Sequence, residues 1–276
     1  MNPALKDIEA ALTEHFGWSA NAALREKINA AVESKAERLR VTPEEYCRIA
    51  ASSASEMLAL VEEISLSESR FFREPHQFDF LRGAILPRLI KSRLEEGRLR
   101  IWSAACSTGE EAYSLAIAFE QARPSYIQLQ AEVFATDVRN RALLEASQAR
   151  YPLSALGEIE EQTLERYFER RGADSAREPD ETYTVIADIR KLVTFRRVNL
   201  LEGVFWKGVT NRFDLIVCSN LMAFLSHTAV RQMTANLANS LREGGYLMVA
   251  PDEGPLVVSP QLKQIEDHPS FFQRGG

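Results

Sequence analysis

Cysteine and histidine are scarce. The 276-residue chain holds three cysteines, Cys47, Cys106 and Cys218, with no C-x-x-C spacing, and four scattered histidines, His15, His76, His227 and His268. Neither a disulfide framework nor a metal-ligand cluster can be read from them, so no metal is expected and a reducing cytoplasm is the natural setting. Long apolar runs are also missing. Stretches such as 115–119 and 246–250 extend five residues, against the ~20 that a bilayer-spanning helix needs, and residues 1–8 lack the basic-then-apolar plan of a secretory signal. Positive charge is short as well: 33 Lys and Arg against 39 Asp and Glu leave a net charge of −6, which offers nucleic acid no global field. What is present is globular, with 45% hydrophobic and 26% charged residues, and the length allows one large domain or one with a smaller companion.

The first 64 residues read as a small helical domain. Leu24, Ile28, Val32 and Leu39 recur at helical spacing, and Thr42-Pro43-Glu44-Glu45 has the form of an N-cap, an N1 proline and an acidic first turn. In the helix over 20–40, Lys27, Lys35 and Arg38 share one flank while Glu26, Glu33 and Glu37 lie on the other. That basic flank is either a solvated face or a docking stripe.

From residue 65 the pattern changes. Residues 98–104 (RLRIWSA) are strand-like and lead through a tight loop into a helix over 110–123; a second strand over 131–136 ends at Asp137, and a helix over 139–148 follows. Strand and helix alternating in this way imply a mostly parallel, doubly wound sheet. A buried run at 213–218, a helix over 228–241 and a strand over 246–250 after Gly244-Gly245 extend it. Between Tyr151 and Val198 the alternation breaks: a helix over 159–170, a polar stretch at 172–181 and short β-like runs read as an inserted β-subdomain.

In doubly wound folds the ligand sits beyond the carboxyl ends of the strands. Here the first loop, Ser103 to Gly109, is made of small residues suited to close backbone approach, but it lacks G-x-G-x-x-G, which disfavours a nicotinamide dehydrogenase. It is followed by Glu110 and Glu111, two like charges where a pyrophosphate would sit, so the loop suits a cationic ligand. S-adenosylmethionine is one, with Asp137 placed to accept its ribose hydroxyls. The alternative is that Glu110 and Glu111 only complement the helix dipole and Asp137 only caps the next helix.

The segments 69–74 (SRFFRE), 101–114 (IWSAACSTGEEAYS), 134–137 (FATD), 198–201 (VNLL), 213–220 (FDLIVCSN) and 244–247 (GGYL) together resemble, in order, the chemoreceptor methyltransferases of the CheR family. The resemblance implies an α/β, Rossmann-like class I S-adenosylmethionine-dependent methyltransferase domain over 65–276, with an N-terminal helical domain over 1–64 and an inserted β-subdomain over 151–198. It also implies a protein-glutamate O-methyltransferase acting on a chemoreceptor or related methyl-accepting protein, with S-adenosylhomocysteine as product. The cofactor would be held by Ser67, Ser69, Arg73, Glu111, Asp137, Asn199, Leu200, Ser219 and Asn220. Of these, Arg73 would steer the acceptor carboxylate and Asn220 would help hold the cofactor at the methyl end. Lys27, Lys35 and Arg38 would meet an acidic receptor, and a cytoplasmic monomer that neither enters the membrane nor binds nucleic acid is expected.

The chain departs from the family pattern near the methyl group. Ser219 stands where an arginine is usual, Ala223-Phe224-Leu225 where Ile-Tyr-Phe is usual, Ser67 where asparagine is common, and Ala105 and Ala112 where glycine and proline are frequent. A charge and a hydroxyl are thereby lost at the methyl end. The alternative they suggest is a catalytically impaired, cofactor-binding regulatory module of a chemosensory-like pathway.

Overall fold

The computed structural model describes residues 3–19, 22–64, 69–157, 159–171 and 181–275. Four helices come first: α1 (Pro3–Phe16), α2 (Ala22–Leu39), α3 (Pro43–Ser52) and α4 (Ala54–Ile64). The start of α3 is the capping box expected from its sequence, with Thr42 accepting from the Glu45 N–H and Glu45 accepting in return from the Thr42 N–H. After α5 (Pro75–Phe80) the helix runs through a π-helical turn at Leu81–Ile85 into α6 (Leu86–Ser92) and reaches the sheet.

The main sheet begins with β1 (Arg98–Ala104), α7 (Glu110–Ala122), β2 (Gln130–Asp137) and α8 (Asn140–Gln148). A three-stranded antiparallel sheet then interrupts it, built from β3 (Arg150–Pro152), β4 (Phe168–Arg171) and β5 (Thr182–Val185), with α9 (Leu153–Leu156) and α10 (Glu161–Tyr167) between its first two strands. The chain returns through α11 (Ala187–Arg190) to β6 (Val193–Arg197), then α12 (Gly203–Lys207), β7 (Phe213–Val217), α13 (His227–Ser240), β8 (Leu241–Met248), β9 (Leu262–Ile265) and β10 (His268–Arg274). The strand order is β6-β2-β1-β7-β8-β10-β9; the pairings from β6 to β8 are parallel, and β10 is antiparallel to β8 and β9. The order reverses at β1, with β2 on one side and β7 on the other, and that switch point is where a doubly wound sheet opens a crevice for ligand.

Three boundaries differ from the sequence-based expectation. The helix expected over 159–170 stops at Tyr167, because Phe168–Arg171 pairs with β5. The inserted subdomain expected to run to Val198 ends earlier: Val193–Arg197 is the outer parallel strand beside β2. The last parallel strand starts at Leu241 instead of Tyr246, and α13 ends one residue sooner than expected. Gly244 lies inside the strand at a register shift, with φ +74°. There glycine allows a bulge that brings Tyr246 opposite Leu215.

Side chains alternate across the sheet, so each strand feeds two cores. Leu99, Ile101, Leu215, Val217 and Met248 pack against α5–α7 and the inserted sheet. Trp102, Ala104, Leu247 and Val249 face the other way, into a core shared with Ile8, Leu12, Ile28, Tyr46 and Leu60 of the first four helices. The N-terminal helices therefore do not keep a separate core. They cover one face of the sheet, with Trp102 fully buried and donating its indole N–H to Thr136 Oγ1 at 2.9 Å.

Candidate cofactor and methyl-transfer site

At the end of β1 the chain curls through left-handed residues at alternate positions, Ala105 (φ +66°), Ser107 (φ +53°) and Gly109 (φ +95°). A side chain at Gly109 would also lie 2.8 Å from Ala146 Cβ and 3.0 Å from the Tyr151 hydroxyl. The curl turns Ala105 and Ser107 toward a cleft and launches α7. Strained non-glycine backbone of this kind concentrates at functional sites, and here Glu74 and Asn220, also left-handed, line the same cleft.

Glu110 and Glu111 separate. Glu110 is buried away from the cleft, accepting from the Thr108 hydroxyl and bonded to Ser69. Glu111 lines it, accepting from the Ser103 hydroxyl at 2.6 Å and bonded to Ser219. Burial raises the Glu111 carboxyl to about 7; the Ser103 and Ser219 hydrogen bonds oppose the rise, the Glu253 charge adds to it and the Arg73 charge opposes it. A carboxylate in this state gains from a cationic ligand, which is what an α-ammonium would supply. Asp137, at the tip of β2, is 6% exposed. One oxygen accepts from the Ser107 N–H at 2.8 Å, and the other from the Arg139 N–H at 2.9 Å and its guanidinium at 3.1 Å, so the carboxylate is aimed before any ligand arrives.

Arg73 reaches the cleft because the residues around it are anchored elsewhere. Phe71 is buried edge-on against Tyr151 and Phe168, its N–H donating to the Ala155 carbonyl, and the Phe72 N–H donates to Ser114 Oγ. Phe72 and Glu74 are both left-handed, and this turn leaves Arg73 among the lining residues, near Glu111.

Opposite, Asn199 braces the cleft instead of offering its amide to it: Nδ2 donates to the His15 carbonyl and Oδ1 accepts from the Leu201 N–H. Leu200 is buried beside it. Ser219, Asn220 and Ser69 all line the cleft, whereas Ser67 lies outside the described residues.

The three basic residues of α2 have different surroundings. Lys27 stands at the cleft, its ammonium 5.6 Å from the centre of the Phe224 ring. Arg38 is tied to Glu63 at 2.6 Å, and Lys35 is half-buried near the same carboxylate. Sequence reasoning passed over Arg139, Glu253 and the Gly17-Trp18-Ser19 turn. A carboxylate just past a strand was the available signal for Glu253, as it was for Asp137.

The buried Glu111, Asp137 at the neighbouring strand tip and the small residues between them suit the ammonium, the ribose and the close backbone approach of S-adenosylmethionine. The fold is a Rossmann-like, doubly wound sheet with its cleft at the switch point beside β1. Residues 67–267 match the CheR methyltransferase, SAM binding domain, and the chain belongs to the CheR methyltransferase family. Among its relatives, a chemotaxis protein methyltransferase of Listeria innocua is 35% identical over 190 residues, 69% of this chain and 66% of the relative. Chemotaxis protein methyltransferase 1 of Pseudomonas aeruginosa is 31% identical over 219 residues, 78% of this chain and 76% of that one. A probable chemotaxis protein methyltransferase of Rhizobium etli is 30% identical over 226 residues, 81% of each. No helix among the described residues is long and apolar enough to cross a membrane.

Proposed function

We propose that the chain methylates glutamate side chains of a chemoreceptor-like signalling protein from the cytoplasmic side, forming γ-glutamyl methyl esters. The observation that carries this reading is that Arg73 lines the same cleft as Glu111 and Asp137, which puts a cation for the acceptor beside two anions for the cofactor. Bound S-adenosylmethionine supplies an electrophilic sulfonium methyl and departs as S-adenosylhomocysteine. The acceptor glutamate has an ordinary pKa of about 4.3 and arrives ionised, so the protein has no proton to remove. Its contribution is alignment and exclusion of water. Glu111 takes the cofactor's ammonium, Asp137 its ribose hydroxyls, and Leu200 and the backbone at Asn199 flank the adenine. Asn220 and Ser219 border the methyl end, while Arg73 steers the acceptor carboxylate.

Incubation with methyl-labelled S-adenosylmethionine and membranes carrying the organism's own chemoreceptors tests the proposal; base-labile label on the receptor is the expected outcome. Cofactor binding without any transfer would instead support the regulatory-module reading that Ser219 and Phe224 suggest. Binding of a nicotinamide dinucleotide in place of S-adenosylmethionine would overturn both.

A further inference from the structure

Glu253 is 1% exposed, and a carboxylate is rarely buried so completely unless it is paired or fully hydrogen-bonded. Among the described residues its hydrogen-bond donors are backbone N–H groups from two separate segments. Oε2 accepts from Asn220 at 2.9 Å and from Ala250 at 3.3 Å; Oε1 accepts from Met222 at 2.6 Å and from Ala223 at 3.3 Å. One oxygen thus ties the turn after β8 to the loop after β7. The other caps the short 3₁₀ turn Met222–Phe224, whose first N–H groups have no partner within the turn itself.

The turn carrying Glu253 is itself held from behind. The Glu253 N–H donates to the Ala250 carbonyl at 3.0 Å. The next residue, Gly254, sits so close to β10 that a side chain there would come within 2.4 Å of the Pro269 carbonyl oxygen. The loop it grips is strained at Asn220, which is left-handed at φ +60°. That residue and Ser219 border the cleft, and Ser219 bonds Glu111.

From this geometry we infer that Glu253 is a positioning residue for methyl transfer: its carboxylate sets the shape of the Ser219–Phe224 loop and so the placing of Ser219, Asn220 and Phe224 at the methyl end. It is not among the residues that line the cleft. The kinetic part of the inference rests on the methyl-transfer reading above; the structural part does not. Four donors converging on two oxygens call for the ionised form, and the isosteric amide can present only one accepting oxygen.

Glu253→Gln is the direct test, read first by amide hydrogen exchange in the absence of any acceptor. Exchange at Asn220 or at Met222, whichever faces the amide nitrogen, should accelerate about tenfold or more, the usual consequence of losing a hydrogen bond to a buried charge, while the amides of β1 and α7 keep their protection. A second readout separates this role from simple packing. Glu111 is faced by Arg73, Glu253, Cys106 and Cys218 and by the hydroxyls of Ser103 and Ser219. Removing the Glu253 charge alone lowers the Glu111 carboxyl, while losing the Ser219 hydrogen bond raises it by more, so release of Ser219 should move the pH dependence of S-adenosylhomocysteine binding upward. With a receptor acceptor, kcat should fall by about tenfold or more with the cofactor KM changed far less.

A folded Glu253→Gln protein with wild-type exchange at Asn220 and Met222 and a pH midpoint unmoved or lowered would overturn the inference. If exchange and midpoint change but the wild type itself transfers no methyl group, the methyl-transfer reading has failed and the structural assignment of Glu253 stands. Should Glu253→Gln not fold, Glu253→Asp replaces it. Shorter by one methylene, aspartate cannot span Asn220, Met222 and Ala250 together, so faster exchange at Asn220 or Met222 supports the inference and wild-type exchange at both overturns it.

Discussion

At the β1–β2 end of the cleft the contacts join residues close in the chain or on neighbouring strands: Ser103 with Glu111, Asp137 with Arg139, and Ser107 with Asp137 across strands paired in register. At the β7 end they join the two ends of the molecule. Glu253 reaches back to Asn220, Asn199 binds the carbonyl of His15, Trp18 forms a β-bridge with Leu225, and the Ser19 and Ser226 N–H groups donate to the carbonyls of Phe224 and Gly17. The first end can form once one strand–helix–strand unit has folded. Apart from the Glu253 contact, the second also needs the N-terminal helices in place, so it is where the N-terminal region can influence the cleft.

The comparison breaks most sharply at Arg73 and Glu111, which should affect different quantities. Arg73→Ala is expected to lower kcat by about 100-fold with S-adenosylhomocysteine affinity changed only a few-fold, the pattern of a lost orienting contact; single-turnover methylation alongside calorimetry checks it. Glu111→Gln should do the reverse at neutral pH, weakening cofactor affinity by roughly 2 kcal/mol through loss of a charge-assisted contact. Equal losses in both variants would mean that the two ends are not separable.

Glu111 also gives the cofactor end a pH signature. Its carboxyl rises from an ordinary 4.5 to about 7 in the folded, ligand-free protein, so folding takes up protons between those values and stability falls as pH rises through that window. Glu111→Gln should consequently be more stable than wild type at pH 8 in the absence of cofactor, by about 3 kcal/mol, with the gap closing toward pH 4.5. Cofactor affinity of the wild type should rise with pH through about 7, because the ammonium needs the ionised form. Denaturant melts across pH and calorimetry in buffers of different ionisation heat measure both. A Glu111→Gln protein less stable than wild type at pH 8 would contradict the assignment.

Gly17→Ala sharpens the other side. Gly17 has φ +66°, and an added Cβ would lie 2.5 Å from Leu201 Cδ1 and 2.6 Å from Ala229 Cβ. A loss of about 1–3 kcal/mol is expected from overpacking plus the left-handed backbone. In a folded variant, faster exchange should appear in residues 17–19 and 224–226 before it reaches β1 and β2, as native-state hydrogen exchange can show. The smallest effect is expected on α2. Lys27→Glu should raise the KM for receptor a few-fold at low salt, and Lys35→Glu and Arg38→Glu less, since Lys27 alone of the three stands at the cleft. Equal effects from all three would restore the continuous docking stripe.

How much of this was legible depended on sequence distance. The curl after β1, the carboxylates Glu111 and Asp137 and the capping box at Thr42 are written in adjacent residues. The family resemblance brought in Arg73, Asn199, Ser219 and Asn220 as lining residues, but not that Asn199 spends its amide on His15. The start of β8 is hidden in the sequence because Gly244-Gly245 reads locally as a helix end, and only pairing with β7 turns it into a bulge.

By itself, then, the sequence determined the strand–loop–helix units, their alternation and the cationic-ligand character of the first loop, because side-chain periodicity, capping and turn preference act over a few residues. Tertiary structure alone decided that the first four helices share a core with the sheet, that Glu110 turns away while Glu111 faces the cleft, that Val193–Arg197 joins the main sheet, and that Glu253 holds the loop after β7. Each of those depends on burial and on hydrogen bonds between segments far apart in the chain, and a buried carboxylate finds its donors only when packing has brought them within about 3 Å.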